Sequence, residues 1–516
     1  VTPLSFQTLA LAVALAAAPL PARAARPVAR WDVVPDQVFE DRFQPGVCAF
    51  HPDGVKVEFR IGGTLVHTAS EPTLNRQSGV WEFWFPLAAS NYPDGRVTLE
   101  ARAIPLAPGQ PANDLPPLSL FANSRGTLSV GVTNWADAAR GDDANPGTAA
   151  APFRTLARAV RSTPPGGTVN LLPGSYSSHR LEGGSARPFW TTIQAAPGAA
   201  REAVEVTGGR PGTERLRWRS LSLVMEAEGK YATILVGENG KHSVWLDDCK
   251  VFNRKGRWAA DSQTFGNRYV AYVTGGMTTE MANGPAAVLI RDHTIETISS
   301  DAWTGSGKLV VNSVCRDINP GKTGAHPDFH QSHAPAPGWC DNVILYNVRG
   351  TDCISQGLFG SRLSNAAFVN VLFEKGDTVM LSQYSGELEN VLFLHLTIVR
   401  QSWLWREGFA PTGVVALNSI FQSMSPGGDR PGLTVENNHF SEPGKSAGAG
   451  VTTGDPLYRA PGTNDFRLQP DSPARGSGRF LQCVPADIDG IPHPASKRNR
   501  GCHADPLPAE QEKATR

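Results

Sequence analysis

The chain has 516 residues, is rich in glycine (52) and proline (41), is 19% charged, and balances 48 Lys and Arg against 48 Asp and Glu. That length exceeds what one ordinary compact core serves, so two domains or an elongated repeat are expected, with many short strands rather than long helices. Balanced charge gives no basic field and no acidic tail, which excludes nucleic acid as an expected partner.

The first 24 residues read as a secretory signal peptide. An apolar run from Leu9 to Ala18 leads through Pro19 and Pro21 to Ala22-Arg23-Ala24, an A-x-A cleavage pattern, although no Lys or Arg precedes the run. The run is too short to span a bilayer. A secreted, periplasmic or cell-surface protein is expected, with no membrane span in the mature chain. Seven cysteines permit disulfides without making a scaffold of them. Cys483 and Cys502 flank a loop-rich segment and are the expected pair, whereas Cys48, Cys249, Cys315, Cys340 and Cys353 read as buried thiols.

Residues 25–128 read as a small β-sandwich. Val55 to Phe59, Trp81 to Phe85 and Val97 to Ala101 alternate with period two, and Asp53-Gly54 and Asp94-Gly95 supply turns. The stretch resembles an immunoglobulin-like or fibronectin-like module, which implies a structural spacer more than a substrate-binding unit.

Residues 129–505 follow a different pattern. A loop cluster, Gly141-Asp142-Asp143-Ala144-Asn145-Pro146-Gly147-Thr148, precedes Pro152-Phe153-Arg154, and Thr155 to Arg161 carries helical spacing through Leu156, Ala159 and Val160. Val169-Asn170-Leu171-Leu172-Pro173-Gly174-Ser175-Tyr176 comes next. These segments resemble the start of the pectate-lyase-like right-handed β-helix superfamily, in which a short amphipathic helix plugs the end of the solenoid. A repeat supports the same fold from the residues alone. Polar residues at Asp248, Asp292, Asn312, Asn347, Asn370, His395, Asn418 and Asn437 are followed three positions later by Val251, Ile295, Cys315, Gly350, Phe373, Ile398, Phe421 and Phe440, with Gly350 the misfit. Their spacings, 44, 20, 35, 23, 25, 23 and 19, are near one solenoid turn, with 44 read as two turns. Asn tolerates the left-handed backbone of a tight corner, and stacked amides can pair between turns. The expected fold class is all-β: a right-handed parallel β-helix solenoid preceded by a small β-sandwich. Asp455-Pro456-Leu457, Asn464 to Leu468 and Asp487-Ile488-Asp489-Gly490 are similar to closing segments of bacterial β-helix proteins, and residues 506–516 read as a disordered tail.

The densest polar cluster is His326-Pro327-Asp328-Phe329-His330-Gln331-Ser332-His333, three of the chain's 12 histidines within eight residues. On a strand, His326, Asp328 and His330 share one face, expected to be outward, with Phe329 pointing into the core. That set could hold a divalent metal of unspecified identity or orient a histidine for proton transfer; a solvent-facing strand with coincidental histidines is the plain alternative. Aligning Phe329-His330-Gln331 with Ile354-Ser355-Gln356, Leu381-Ser382-Gln383 and Leu404-Trp405-Arg406 predicts an outward row on turns about 4.8 Å apart. The row holds Asp328, His330, Ser355, Trp403 and Trp405. It would form a groove for a sugar chain, unless the tryptophans pack beneath a loop. Asp301 is expected one turn above, facing Asp328 as an acid pair or metal bridge, or else serving as a turn residue. Gln331 and Gln356 share a register, as a corner ladder or as substrate contacts.

Exported proteins of the resembled superfamily most often act on polysaccharides. The resemblance therefore implies a polysaccharide lyase cleaving a uronate-containing glycan by β-elimination. A metal or Arg406 would neutralise the uronate, and one of the histidines or Lys322 would act as base. A glycoside hydrolase using Asp301, Asp328 or Asp352 is the second expectation. A non-catalytic glycan-binding or adhesive surface protein is the third, because fold does not dictate function. A monomer is expected.

Overall fold

The computed structural model describes residues 26–178, 181, 187–207, 215–225, 244–254, 288–298, 301–318, 327–333, 339–353, 356–374, 379–380, 388–399, 402–404, 411–425, 431–442, 448–494, 496 and 498–505. The signal-like segment and the last residues, 506–516, lie outside them.

From Thr133–Ala136 to Thr452–Thr453, 22 strands join in one largely parallel array that follows chain order. They stack as two walls. In the first, Val244–Asp247, Val288–Arg291, Lys308–Val311 and residues 343–346 lie in consecutive register. In the second, Lys250–Asn253, Thr294–Ile298, Val314–Ile318 and residues 349–351 do the same. Short strands make a third wall: Trp303–Thr304, Asp328–His333 and Gln356–Ser361, then Val379–Met380, Ser402–Leu404 and Ser423–Ser425. Each turn of chain visits the walls in order, which makes the right-handed parallel β-helix. The helix Leu156–Ser162 caps its start, with Thr155 accepting from the Arg158 N–H and Leu156, Ala159 and Val160 buried.

The polar repeat marks the corner between the first two walls. Asp248, Asp292, Asn312, Asn347, Asn370, His395, Asn418 and Asn437 all have φ between 48° and 55°, the left-handed region where a short polar side chain is least penalised. Amides link successive turns: Asn347 Nδ2 donates to Asn312 Oδ1 at 3.1 Å, and Asn370 Nδ2 to Asn347 Oδ1 at 2.9 Å. Three residues past the corner, Val251, Ile295, Cys315, Gly350 and Phe373 stack in register. Gly350 has a steric reason to break the pattern. A β-carbon there would lie 2.7 Å from Phe373 and 2.9 Å from Phe329, which reaches in from the third wall. The 44-residue spacing is one turn, not two, because Val244–Asp247 pairs directly with Val288–Arg291; its extra length is residues 255–287, outside the described residues.

The sandwich has a four-stranded and a six-stranded sheet, antiparallel except where Gln37–Phe39 meets Leu118–Ala122. It covers the outer face of the first wall. Leu309, Val311, Ile344, Tyr346, Ala367 and Val369 point away from the solenoid interior and join the sandwich core. Phe50 meets Tyr346 edge-on at 5.2 Å, and Arg291 bridges Asp32 of the sandwich at 3.1 Å and Asp247 at 3.0 Å.

After the last turn the chain runs back along the asparagine corner. Asn370 Nδ2 donates to the Ala486 carbonyl at 2.9 Å, and Asn418 Nδ2 to that of Arg479 at 2.7 Å. The expected Cys483–Cys502 disulfide does not form: all seven cysteines are free and buried. The Cys483 thiol faces the His51 carbonyl of the sandwich, while the Cys502 N–H bonds Thr397 on the solenoid. No helix among the described residues is long and apolar enough to cross a membrane.

Candidate functional site

The third wall sets the geometry. Trp303 pairs with His330 and Thr304 with Gln331, so the same register brings Asp301 alongside Asp328 on the next turn. The contact is direct, with the Asp328 N–H donating to Asp301 Oδ1 at 2.8 Å. Both carboxyls are enclosed, at 2% and 0% exposure. Among the described residues, Asp301 Oδ2 and both oxygens of Asp328 have no hydrogen-bond partner. Burial raises both groups, Asp301 to about 7 and Asp328 to about 9, the latter also repelled by Asp301. Near neutrality the pair therefore holds at least one proton.

His330 is also enclosed, its ring 5.7 Å from that of Phe368 and edge-on to it. Burial, and then the charge of Lys308, hold the imidazole neutral. Lys308 itself stands in register between Val288 and Val343, two core residues, and burial brings its ammonium down to about 7. Cys340, the neighbouring thiol whose charge would favour the ammonium, is buried too. Sequence reasoning passed over Lys308. Its signal was there: four residues before the other seven corners stand Val244, Val288, Val343, Ala366, Val391, Val414 and Leu433, and only in this turn a lysine.

Several expectations change. Asp328 and His330 do not line an open outer groove. Like Phe329 they are buried, because this strand lies against core aromatics and the next turn places Leu358 beside His330. Gln331 and Gln356 do not share a register. Gln331 pairs with Phe359, and Gln356 with Asp328, a shift of three residues from the sequence alignment. Trp403 lies on a third-wall strand, its backbone paired with Val379 and Met424. His326, Lys322, Ser355, Trp405 and Arg406 lie outside the described residues. Asp352 is an exposed corner residue with φ 54°, its N–H donating to Glu374.

A second titratable cluster lies in the returning C-terminal segment, where atoms of Asp487, Asp489 and His503 fall within 4.8 Å of one another. The Asp487 carboxylate already accepts backbone N–H groups of Asp489, Ile491 and Ala504. Asp489 is paired with Arg349 and with His503. Burial opposes the charge on His503, but Cys502 and Asp489 outweigh it and hold the ring protonated, with a pKa pushed up to about 10. A protonated ring beside an arginine is a structural tie for the segment and a poor metal ligand.

The profile of a family described as a protein of unknown function (DUF1565) matches residues 139–184. No curated protein matches the chain. Among solved structures, the complex of XylC with xylose is similar at a TM-score of 0.40 and 10% identity, over 72% of this chain and 98% of that one. A rhamnogalacturonan lyase is similar at 0.34 and 13%, over 63% and 87%. The native GH136 lacto-N-biosidase from Eubacterium ramulus is similar at 0.27 and 12%, over 62% and 67%.

Proposed function

We propose that this chain is a polysaccharide-directed enzyme that uses Asp301 and Asp328 as a catalytic carboxyl pair, Asp328 as the acid and Asp301 as the nucleophile. The observation that carries the reading is the juxtaposition of two enclosed carboxyls on adjacent turns, with three oxygens unbonded among the described residues. At neutral pH Asp328 keeps its proton while Asp301 gives its own up more readily, so the two divide into donor and acceptor. Adjacent turns lie about 4.8 Å apart, closer to the ~5–5.5 Å of a retaining glycosidase pair than to the ~6.5–9.5 Å of an inverting one. A protonated carboxyl beside one that ionises more readily is the pairing that hydrolysis uses, and it is the reason for preferring hydrolysis to β-elimination.

The unbonded carboxyl oxygens would also suit a divalent cation, with His326 and His330 as the nearby imidazoles in sequence. When bound, such an ion would neutralise a uronate carboxylate. A second reading is a non-catalytic glycan-binding solenoid, and the complete burial of Asp301, Asp328 and His330 favours it, since an enclosed polar cluster can be purely structural.

The test is a panel of neutral and uronate-containing polysaccharides, with and without divalent metals. New reducing ends without the ultraviolet absorbance of an unsaturated product are expected. Asp328→Asn and Asp301→Asn should each lower that activity by about 100-fold or more. Unsaturated product would move the assignment to a lyase. Glycan binding with neither product would leave the second reading standing.

A further inference from the structure

The sandwich and the solenoid do not close fully over one another. At their seam, on the outer side of the first wall, lies a cavity of about 120 Å³. Its floor is apolar: Val34 and Leu118 from the sandwich and Leu289 from the solenoid are all buried. Trp31 forms part of its wall, and the exposed Pro116 and Pro117 part of its rim.

Two of the polar side chains around it are already engaged. Trp31 Nε1 donates to the Pro116 carbonyl at 2.9 Å. The two terminal nitrogens of Arg30 donate to the carbonyls of Asn342 and Gly307, at 3.0 and 2.9 Å, and its Nε is buried away from the cavity surface. A ligand rich in hydroxyls, or an anion, would therefore find neither of these donors free to replace its hydrogen bonds to water. A flat apolar group loses little and gains the aromatic and proline faces. Apolar cavities on the order of 150 Å³ accommodate benzene, so the space matches one ring.

We propose that this seam cavity, which Asn342 helps to line, binds one neutral aromatic ring. Because the walls come from both domains, an occupant binds only the docked arrangement and stabilises it by mass action. The site is separate from the buried carboxyl pair, and its fate does not depend on that assignment.

The probe is p-cresol, titrated by calorimetry into the full chain and followed by thermal melting. Saturable one-to-one binding and a raised melting temperature are expected. Leu118→Phe and Leu115→Phe, which fill the cavity from two positions, should weaken binding by at least about 10-fold while melting as cooperatively as wild type. Benzoate and xylose should each bind at least about 10-fold more weakly than p-cresol. Absence of saturable binding, equal affinity in either folded variant, or tighter binding of benzoate or xylose would each overturn the proposal.

Discussion

Asp328 favours the fold in its protonated form. Its folded pKa is about 9, and that of Asp301 about 7, against about 3.9 in an unfolded chain. For groups raised in this way the stabilising contribution is fully present below about pH 4 and is lost as pH climbs through the two folded values. Asp328→Asn keeps the shape and removes the titration. The variant should melt close to wild type at about pH 5 and above it at about pH 9, by a margin on the order of a few kcal/mol. Melting curves that track wild type at both values would show that something other than a proton compensates the pair. The pairing of Asp301 with Asp328 was expected from the sequence, although Asp301 precedes its next corner by 11 residues and Asp328 by 19, so spacing alone did not fix it. Their burial was not expected. Period-two alternation separates two faces of a strand, but here residues 328, 329 and 330 are all enclosed, so alternation alone could not say which face met water.

At the scale of the element, the first corner and its columns were readable because their chemistry is demanding. A left-handed corner selects Asn, Asp or His, and the residue three positions later must fill the core, so the eight corners could be found without coordinates. The third wall makes no such demand. Its strands run from two to six residues, and the arcs joining it to the other walls vary in length, so aligning its residues by motif gave the wrong register for Gln356. Gly350 joins the two cases, since it breaks the column only because Phe329 of the third wall occupies that space. Gly350→Ala would press a methyl group into two aromatic rings packed 4.9 Å apart. A loss of about 1–3 kcal/mol is expected in denaturant unfolding. Additivity with Phe329→Leu would argue against the contact; relief of the Gly350→Ala defect by the smaller side chain is the expected outcome.

On the scale of the whole molecule, the sandwich is part of the solenoid's packing and not a spacer hung from its end. The strand Lys308–Val311 shows why: Val310 faces the solenoid interior, while Leu309 and Val311 face the sandwich core. The same outward stripe continues through Ile344, Tyr346, Ala367, Val369, Leu392 and Leu394. Left bare, it would form a continuous apolar strip of the kind that soluble monomers rarely expose. The returning C-terminal segment adds a second tie, because Arg479 pairs with both Asp53 of the sandwich and Glu436 of the solenoid. A single cooperative transition is therefore expected for the intact chain by calorimetry, and removal of residues 26–128 should leave a solenoid that aggregates or fails to fold. Two separate transitions, or a soluble and monomeric solenoid after that deletion, would show that the shared apolar face does not couple the domains. The covering also bears on the proposed function, under which a long glycan would engage the second or third wall, because the first wall's outer face is occupied.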